Sequence, residues 1–236
     1  MIRRPHFFRA ERPLPMRIAL GLEYDGAPFD GWQSQPTRRG VQDALERALG
    51  EIAAAPVRTV AAGRTDARVH ATSQIVHFDT DVARADTAWV RGVNAHLPPE
   101  LAVLWAQPVA LAFHARNKAT ARHYTYVLAP RAARPALLAG RVGWYHRPLD
   151  VAAMQDAARA LVGTHDFSTF RAAECQAKSP VKTLAVATVE VQGDLVRFDF
   201  SADAFLHHMI VDRRQLRDEL PRLLAMLSKQ PAPAVA

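Results

Sequence analysis

Residues 41–62, VQDALERALGEIAAAPVRTVAA, change their period halfway along. Val41, Leu45, Ala48, Leu49 and Ile52 recur at helical spacing, which predicts an amphipathic helix. After Pro56, VRTVAA is too short and too β-branched for a helix and predicts a strand. Working outward, RIALGLEY (17–24) is a strand that runs into a glycine-rich turn, YDGAPFDGWQSQ (24–35). On the other side SQIVHFDT (73–80) is a strand, with Ile75 and His77 facing away from Val76 and Phe78. A helix around 87–95 and a strand near 101–109 complete the set. The order β-α-β-β-α-β is a split βαβ, or ferredoxin-like, half.

The second half partly repeats the first. HYTYVLA (123–129) and VGWYH (142–146) read as strands. Asp150 is placed to cap a helix whose apolar face is Val151, Met154, Ala158 and Leu161, with Gly163 ending it. TLAVATVEV and LVRFDFSA, joined through Gln192, Gly193 and Asp194, read as a hairpin with Val196, Phe198 and Phe200 on one face. Leu216, Leu220, Leu223, Leu224 and Leu227 then recur at helical spacing, interrupted by Pro221. No segment remains for a last strand. The expectation is therefore an α+β chain of two ferredoxin-like halves with a mixed, mainly antiparallel central sheet and helices on one side. The second half is truncated or altered at its C-terminus. The implied organisation is a flexible extension over 1–15, a first half over 16–110, a second over 111–228 and a loose tail over 229–236.

Composition narrows the function. Of 236 residues, 49% are hydrophobic and 22% charged, as in globular chains, and no apolar run approaches a membrane span. A single cysteine, Cys175, excludes an internal disulfide framework, and cysteine-rich metal spacings are missing. The adjacent pair His207–His208 points in two directions, which argues against a metal there. The net charge of +7 points to a polyanionic partner, nucleic acid first. MIRRPHFFRAERPLP (1–15) lacks the apolar core of a secretory signal, and its prolines oppose an amphipathic targeting helix.

Four stretches depart from periodic patterning: YDGAPFDGWQSQ, GRTDARVHA (63–71), FHARNKATARHYTY (113–126) and GTHDFSTFRAAECQAKSPVKT (163–183). Each has a structural reading. Phe29 and Trp32 suit the core, with Gln33 and Gln35 solvated; His114 and Arg116 suit an exposed face; His165 and Asp166 suit a turn, with Phe167 and Phe170 packing inward. GRTDARVHA poses the sharper question, because Asp66 stands between Arg64 and Arg68 with His70 close behind. It is either a solvated turn or a catalytic carboxylate favoured by nearby cations.

Taken in order, YDGAPFDGWQSQP, VQDALERAL, AGRTDARVHA, SQIVHFDT, FHARNKATARHYTY, GTHDFSTFRA, CQAKSPVKT and FLHHM make the chain resemble the tRNA pseudouridine synthase A family over about residues 16–210. The resemblance implies a two-half ferredoxin-like catalytic domain, cytoplasmic and usually homodimeric, that uses no metal or organic cofactor. Its implied substrate is tRNA, at uridines on the 3′ side of the anticodon stem-loop (tRNA positions 38–40). By resemblance Asp66 is the essential aspartate, acting as nucleophile or base at the sugar. Tyr124 takes the family's tyrosine position, where its ring stacks on the uracil and its hydroxyl assists proton transfer; as a bare strand residue it would be a core aromatic. Arg64, Arg68, His70, Arg116, Arg122, Lys178 and Lys182 are the implied substrate-binding residues, suited to phosphates that position RNA without specifying its bases.

Two departures from the family pattern stand out. Arg68 occupies a position where the family has glycine, so a positive φ there would strain it. Val211 stands where the family has an arginine that pairs with the aspartate, and the sequence diverges beyond it. Arg213 or Arg214 is a substitute only after a local shift. The rival readings are a tRNA-binding member with weak or lost catalysis and a non-catalytic RNA-binding module. The aromatic signature of RNA-recognition strands is missing here, which counts against the second. A small-molecule enzyme is a further rival, but the chain lacks a phosphate-cradling glycine loop.

Overall fold

Strand β1 (Met16–Tyr24) is buried on both faces along most of its length, so it can only be central. In the computed structural model, which describes residues 15–170, 178–206 and 209, it lies between β3 (Ala71–Thr80) and β4 (Leu101–Val109). With β2 (Thr59–Ala61) the order is β2-β3-β1-β4, antiparallel throughout. Strand β3 thus enters between β1 and β2, the strands joined by helix α1 (Val41–Ala53). This is the split βαβ expected from the sequence.

Helix α1 buries Val41, Ala44, Leu45, Ala48, Leu49 and Ala53 in one cluster with Ile18, Leu20 and Leu22 of β1 and Val76 and Phe78 of β3. Each such leucine contributes about 1.5–3 kcal/mol by leaving water. The helix starts on Gly40, whose N–H is taken by the Asp43 carboxylate at 3.1 Å. The next helical stretch contains a π-helical turn (Ala88–Gly92), and its Trp89 ring meets Phe78 edge-on at 5.1 Å.

The other face of this sheet is covered locally by its own chain. Arg17 pairs with Asp79 through two 2.7 Å contacts and donates to the carbonyls of Leu111 and Phe113. His77 is 3% exposed; its Nδ1 accepts from Ala115 N at 3.1 Å, at the start of the short helix α2 (Ala115–Lys118), and its ring lies against Phe113 and His114. Burial pushes the His77 imidazole below its ordinary value of 6.5, with Arg17 and His114 adding to the effect. Below that value the unfolded chain takes up a proton that the folded His77 refuses, so stability falls as pH drops through the window beneath 6.5. Asp79, held low by the Arg17 hydrogen bond, gives a second loss below its ordinary 3.8, where the unfolded carboxylate protonates first. Denaturant midpoints measured from pH 8 to 3 are expected to show both steps. In His77→Asn, which keeps an acceptor for Ala115, the first step shrinks; an unchanged profile contradicts the assignment.

The chain divides at Ala119 and Thr120 into two compact units. The second holds a five-stranded sheet, order β6-β5-β9-β8-β7, built from β5 (Arg122–Pro130), β6 (Gly143–Tyr145), β7 (Gly163–Asp166), β8 (Val181–Gln192) and β9 (Leu195–Ala202). All neighbours are antiparallel except β5 and β6. The β5-β9-β8 core repeats β1-β3-β2, and helix α3 (Val151–Ala160) takes the role of α1. The Asp150 carboxylate accepts from Ala153 N at 3.0 Å, a cap worth about 1 kcal/mol. Met154 and Ala158 of α3 pack with Leu128, Val189, Val196 and Phe198. Strand β6 lies beside β5 where β4 lies beside β1.

Strand β7 corrects the reading of His165 and Asp166 as a turn. Thr164, His165 and Asp166 are all exposed, so no apolar alternation announces the strand. It is an edge held by backbone pairing to 181–184 and by a 2.8 Å bond between the hydroxyls of Thr164 and Thr183. The extension over 1–14, Cys175, the pair His207–His208, Val211, Arg213, Arg214, the leucine-spaced helix and the tail lie outside the described residues.

Candidate active site

Asp66 sits at the tip of the connection between β2 and β3, exposed, between the exposed Arg64 and Arg68. A carboxylate exposed on a surface loop can do chemistry only if its backbone is fixed. The chain on either side of Asp66 is fixed at several points. Ala62 N–H bonds to Ile75 O at 2.8 Å, and the amide of Gln74, a buried residue, donates to Gly63 O at 2.7 Å. Thr65 is held twice, its carbonyl by Trp32 N–H at 2.9 Å and its hydroxyl by the Tyr24 hydroxyl at 2.8 Å. Val69 N–H closes a turn on Asp66 O at 3.2 Å. His70 then takes Gly26 N–H on Nδ1 at 3.1 Å, with Asp25 Oδ1 3.0 Å from the same nitrogen.

The partner in most of these ties is the 24–32 segment, and two glycines explain its closeness. A Cβ at Gly26 would stand 2.1 Å from Val69 O, and one at Gly31 would stand 2.9 Å from Thr65 O. Gly31 also has φ +99°, which side chains rarely adopt. Tyr24, Phe29 and Trp32 are buried in the first core cluster, so these aromatics anchor the segment. Trp32 bridges two elements: its N–H reaches Thr65, and its carbonyl accepts from Gln42 N–H at the start of α1 at 3.0 Å. Asp30 closes the following loop by taking Arg39 on both oxygens and Thr37 on one; those bonds hold its carboxyl below the usual range.

Arg64 and Arg68 have no hydrogen-bond or ion-pair partner among the described residues. Arg68 has φ +67°, the left-handed conformation that a glycine would adopt freely. A non-glycine residue there costs on the order of 1 kcal/mol or more. Arg68→Gly is therefore expected to raise stability by about 1 kcal/mol, read as a higher denaturant midpoint, despite the looser unfolded chain. A lower midpoint contradicts strain at this position.

The remaining candidates divide by exposure. Arg116 is exposed on α2, without a partner among the described residues; the His114 ring caps that turn by accepting from Asn117 N. In the second unit Tyr124 is half-buried on β5, across from Phe200, with its ring edge-on to Phe205 at 5.0 Å. Arg122 is tied down, its Nη1 donating to Asp203 O at 2.7 Å. Lys178 is exposed and unpartnered among the described residues. Lys182 curls back onto the carbonyls of Ser179 and Val181. Sequence reasoning missed Tyr24, Thr65 and Gln74 as neighbours of Asp66. The signal was present in Gly26 and Gly31, which mark a close backbone approach. Among the described residues no group of three His, Cys, Asp or Glu side chains is placed to hold a metal ion, and no helix is long and apolar enough to cross a membrane.

A family model described as tRNA pseudouridine synthase matches residues 22–117 and 157–214. The chain is 62% identical over 196 residues to tRNA pseudouridine synthase A of Chromobacterium violaceum, covering 83% of this chain and 75% of the relative. It is 60% identical over 195 residues to the protein of that name from Dechloromonas aromatica, covering 83% and 74%. The corresponding protein of Thiobacillus denitrificans is 61% identical over 195 residues, covering 83% and 75%.

Proposed function

Because the chain belongs to the tRNA pseudouridine synthase family, we propose that it isomerises uridine to pseudouridine in the anticodon stem-loop of tRNA, at positions 38–40, with Asp66 as the catalytic carboxylate. The observation that carries this reading is the Asp66 loop itself. An exposed carboxylate stands between two unpartnered guanidinium groups, on a backbone tied at Thr65 and His70.

The reaction needs no co-reactant. The N1–C1′ bond breaks, the uracil turns in place, C5 joins C1′, and the proton lost from C5 is balanced by one gained at N1. Asp66 serves either by adding to the sugar at C1′ or by taking a proton from it. The target base must first leave its stack, which requires a flat surface to receive it; Tyr124 is the residue proposed for that role. Arg64, Arg68 and Arg116, with their guanidinium groups exposed, suit phosphate contacts that set the register of the RNA. Arg122 and Lys182 spend donors on the backbone, which makes them weaker candidates for that work. The working form proposed is a cytoplasmic homodimer.

The test uses unmodified tRNA, incubated with the chain and mapped for pseudouridine by carbodiimide treatment and primer extension. Modification confined to uridines at 38–40, and lost when those uridines are replaced by cytidine, is the expected result. Modification elsewhere contradicts the anticodon assignment. Val211, where the family carries an arginine, favours the second reading of a binder with weakened catalysis. That reading predicts tRNA binding without turnover in the same assay.

A further inference from the structure

We propose that Tyr24 and His70 are positioning residues for the reaction, acting on Asp66 through the backbone on its two sides; this rests on the reading of Asp66 as the catalytic carboxylate. Tyr24 lies on the central strand, and its ring is 4% exposed within the first core cluster, so its hydroxyl is a nearly fixed point. That hydroxyl holds Thr65 Oγ1 at 2.8 Å, one residue before Asp66, while Trp32 N–H holds the carbonyl of the same threonine. Thr65 is thereby fixed in both position and rotation, which sets the direction of the peptide leading into Asp66.

His70 performs the matching task on the far side. The turn closed by Val69 N–H on Asp66 O leads directly into it. Its Nδ1 takes the N–H of Gly26, a residue whose missing side chain lets the 25–26 turn touch Val69. The same Nδ1 lies 3.0 Å from Asp25 Oδ1, so the ring is tied to the 25–26 turn in either form, accepting from Gly26 N–H or, with a proton on Nδ1, donating to Asp25. This geometry gives His70 work unlike the substrate contact implied by sequence resemblance. Catalysis by a carboxylate depends steeply on placement, since displacements near 1 Å cost about a hundredfold. Two ties bracketing one exposed aspartate are what such placement requires.

The experiment measures kcat and KM on unmodified tRNA, together with melting temperature, for Tyr24→Phe, His70→Ala, His70→Asn and Asp66→Asn. Tyr24→Phe keeps the buried ring and removes the hydroxyl that holds Thr65. His70→Asn keeps an acceptor where His70→Ala has none. Positioning predicts kcat lower by about tenfold in Tyr24→Phe and His70→Ala, with KM within about twofold and melting within a few degrees. His70→Asn is expected to recover most of the loss. A raised KM with unchanged kcat makes His70 a substrate contact and overturns its positioning role. Unchanged kcat in Tyr24→Phe overturns the role of Tyr24, and a loss that only tracks melting, without rescue by asparagine, reduces both ties to fold stability. Full turnover in Asp66→Asn overturns the underlying reading as well, and is told apart because the other outcomes require that variant to be inactive.

Discussion

Asp66→Asn is expected to abolish pseudouridine formation, a loss of at least about a thousandfold in turnover, while tRNA affinity stays within about tenfold. Asparagine has nearly the shape of aspartate, but its amide can neither add to the sugar nor accept a proton from it. The ties that shape the loop run through Thr65, His70, Gly63 and the Asp66 backbone carbonyl. None of these ties uses the Asp66 carboxylate. Removing a negative charge beside Arg64 and Arg68 also disfavours no phosphate contact. A variant that binds tRNA and turns over near the normal rate places the chemistry elsewhere.

The second large effect is expected at a residue with no side chain. In Gly26→Ala the new methyl would stand 2.1 Å from Val69 O and 2.9 Å from the Arg68 carbonyl carbon, both backbone atoms. Neither can rotate away, so the 24–32 segment and the Asp66 loop must separate. The cost is about 1–3 kcal/mol of stability, by overpacking. Turnover is expected to fall about a hundredfold, because the loop that carries Asp66 moves by a sizeable fraction of an ångström or more. Gly50→Ala is the control. Its Cβ meets only Ala55 O, at an ordinary 3.5 Å, inside helix α1, where alanine is favoured by up to about 1 kcal/mol. Equal losses in the two variants, measured by pseudouridine yield and thermal unfolding, would deny the close approach a special role.

Much of the fold was legible because its core positions repeat with clear periods. Val41, Leu45, Ala48 and Leu49 announce α1, and Val76 and Phe78 announce the core face of β3; the structure buries all six. Strand β7 was not legible, because an exposed edge stabilised by backbone pairing leaves no hydrophobic pattern. The sequence places His77 on the strand face opposite Val76 and Phe78, and the structure buries it too. The 111–115 segment that covers it comes from a remote part of the sequence. At the site, Asp66, Arg64 and Arg68 could be singled out from one nonamer. Their restraints could not, because the Tyr24–Thr65 and Gly26–His70 pairs join residues separated by 41 and 44 positions. The strain expected at Arg68 was legible through the glycine it replaces, and the backbone there does adopt φ +67°.

The most direct test of the account is the pseudouridine content of an unmodified tRNA anticodon stem-loop after incubation with the chain. It is measured by nuclease digestion and chromatography of the nucleosides, with Asp66→Asn run in parallel. The account predicts pseudouridine that accumulates with time at the expense of uridine, with no change in RNA mass, and none from the Asp66→Asn chain. RNA that is bound but yields no pseudouridine, or equal yields from the two chains, would contradict it.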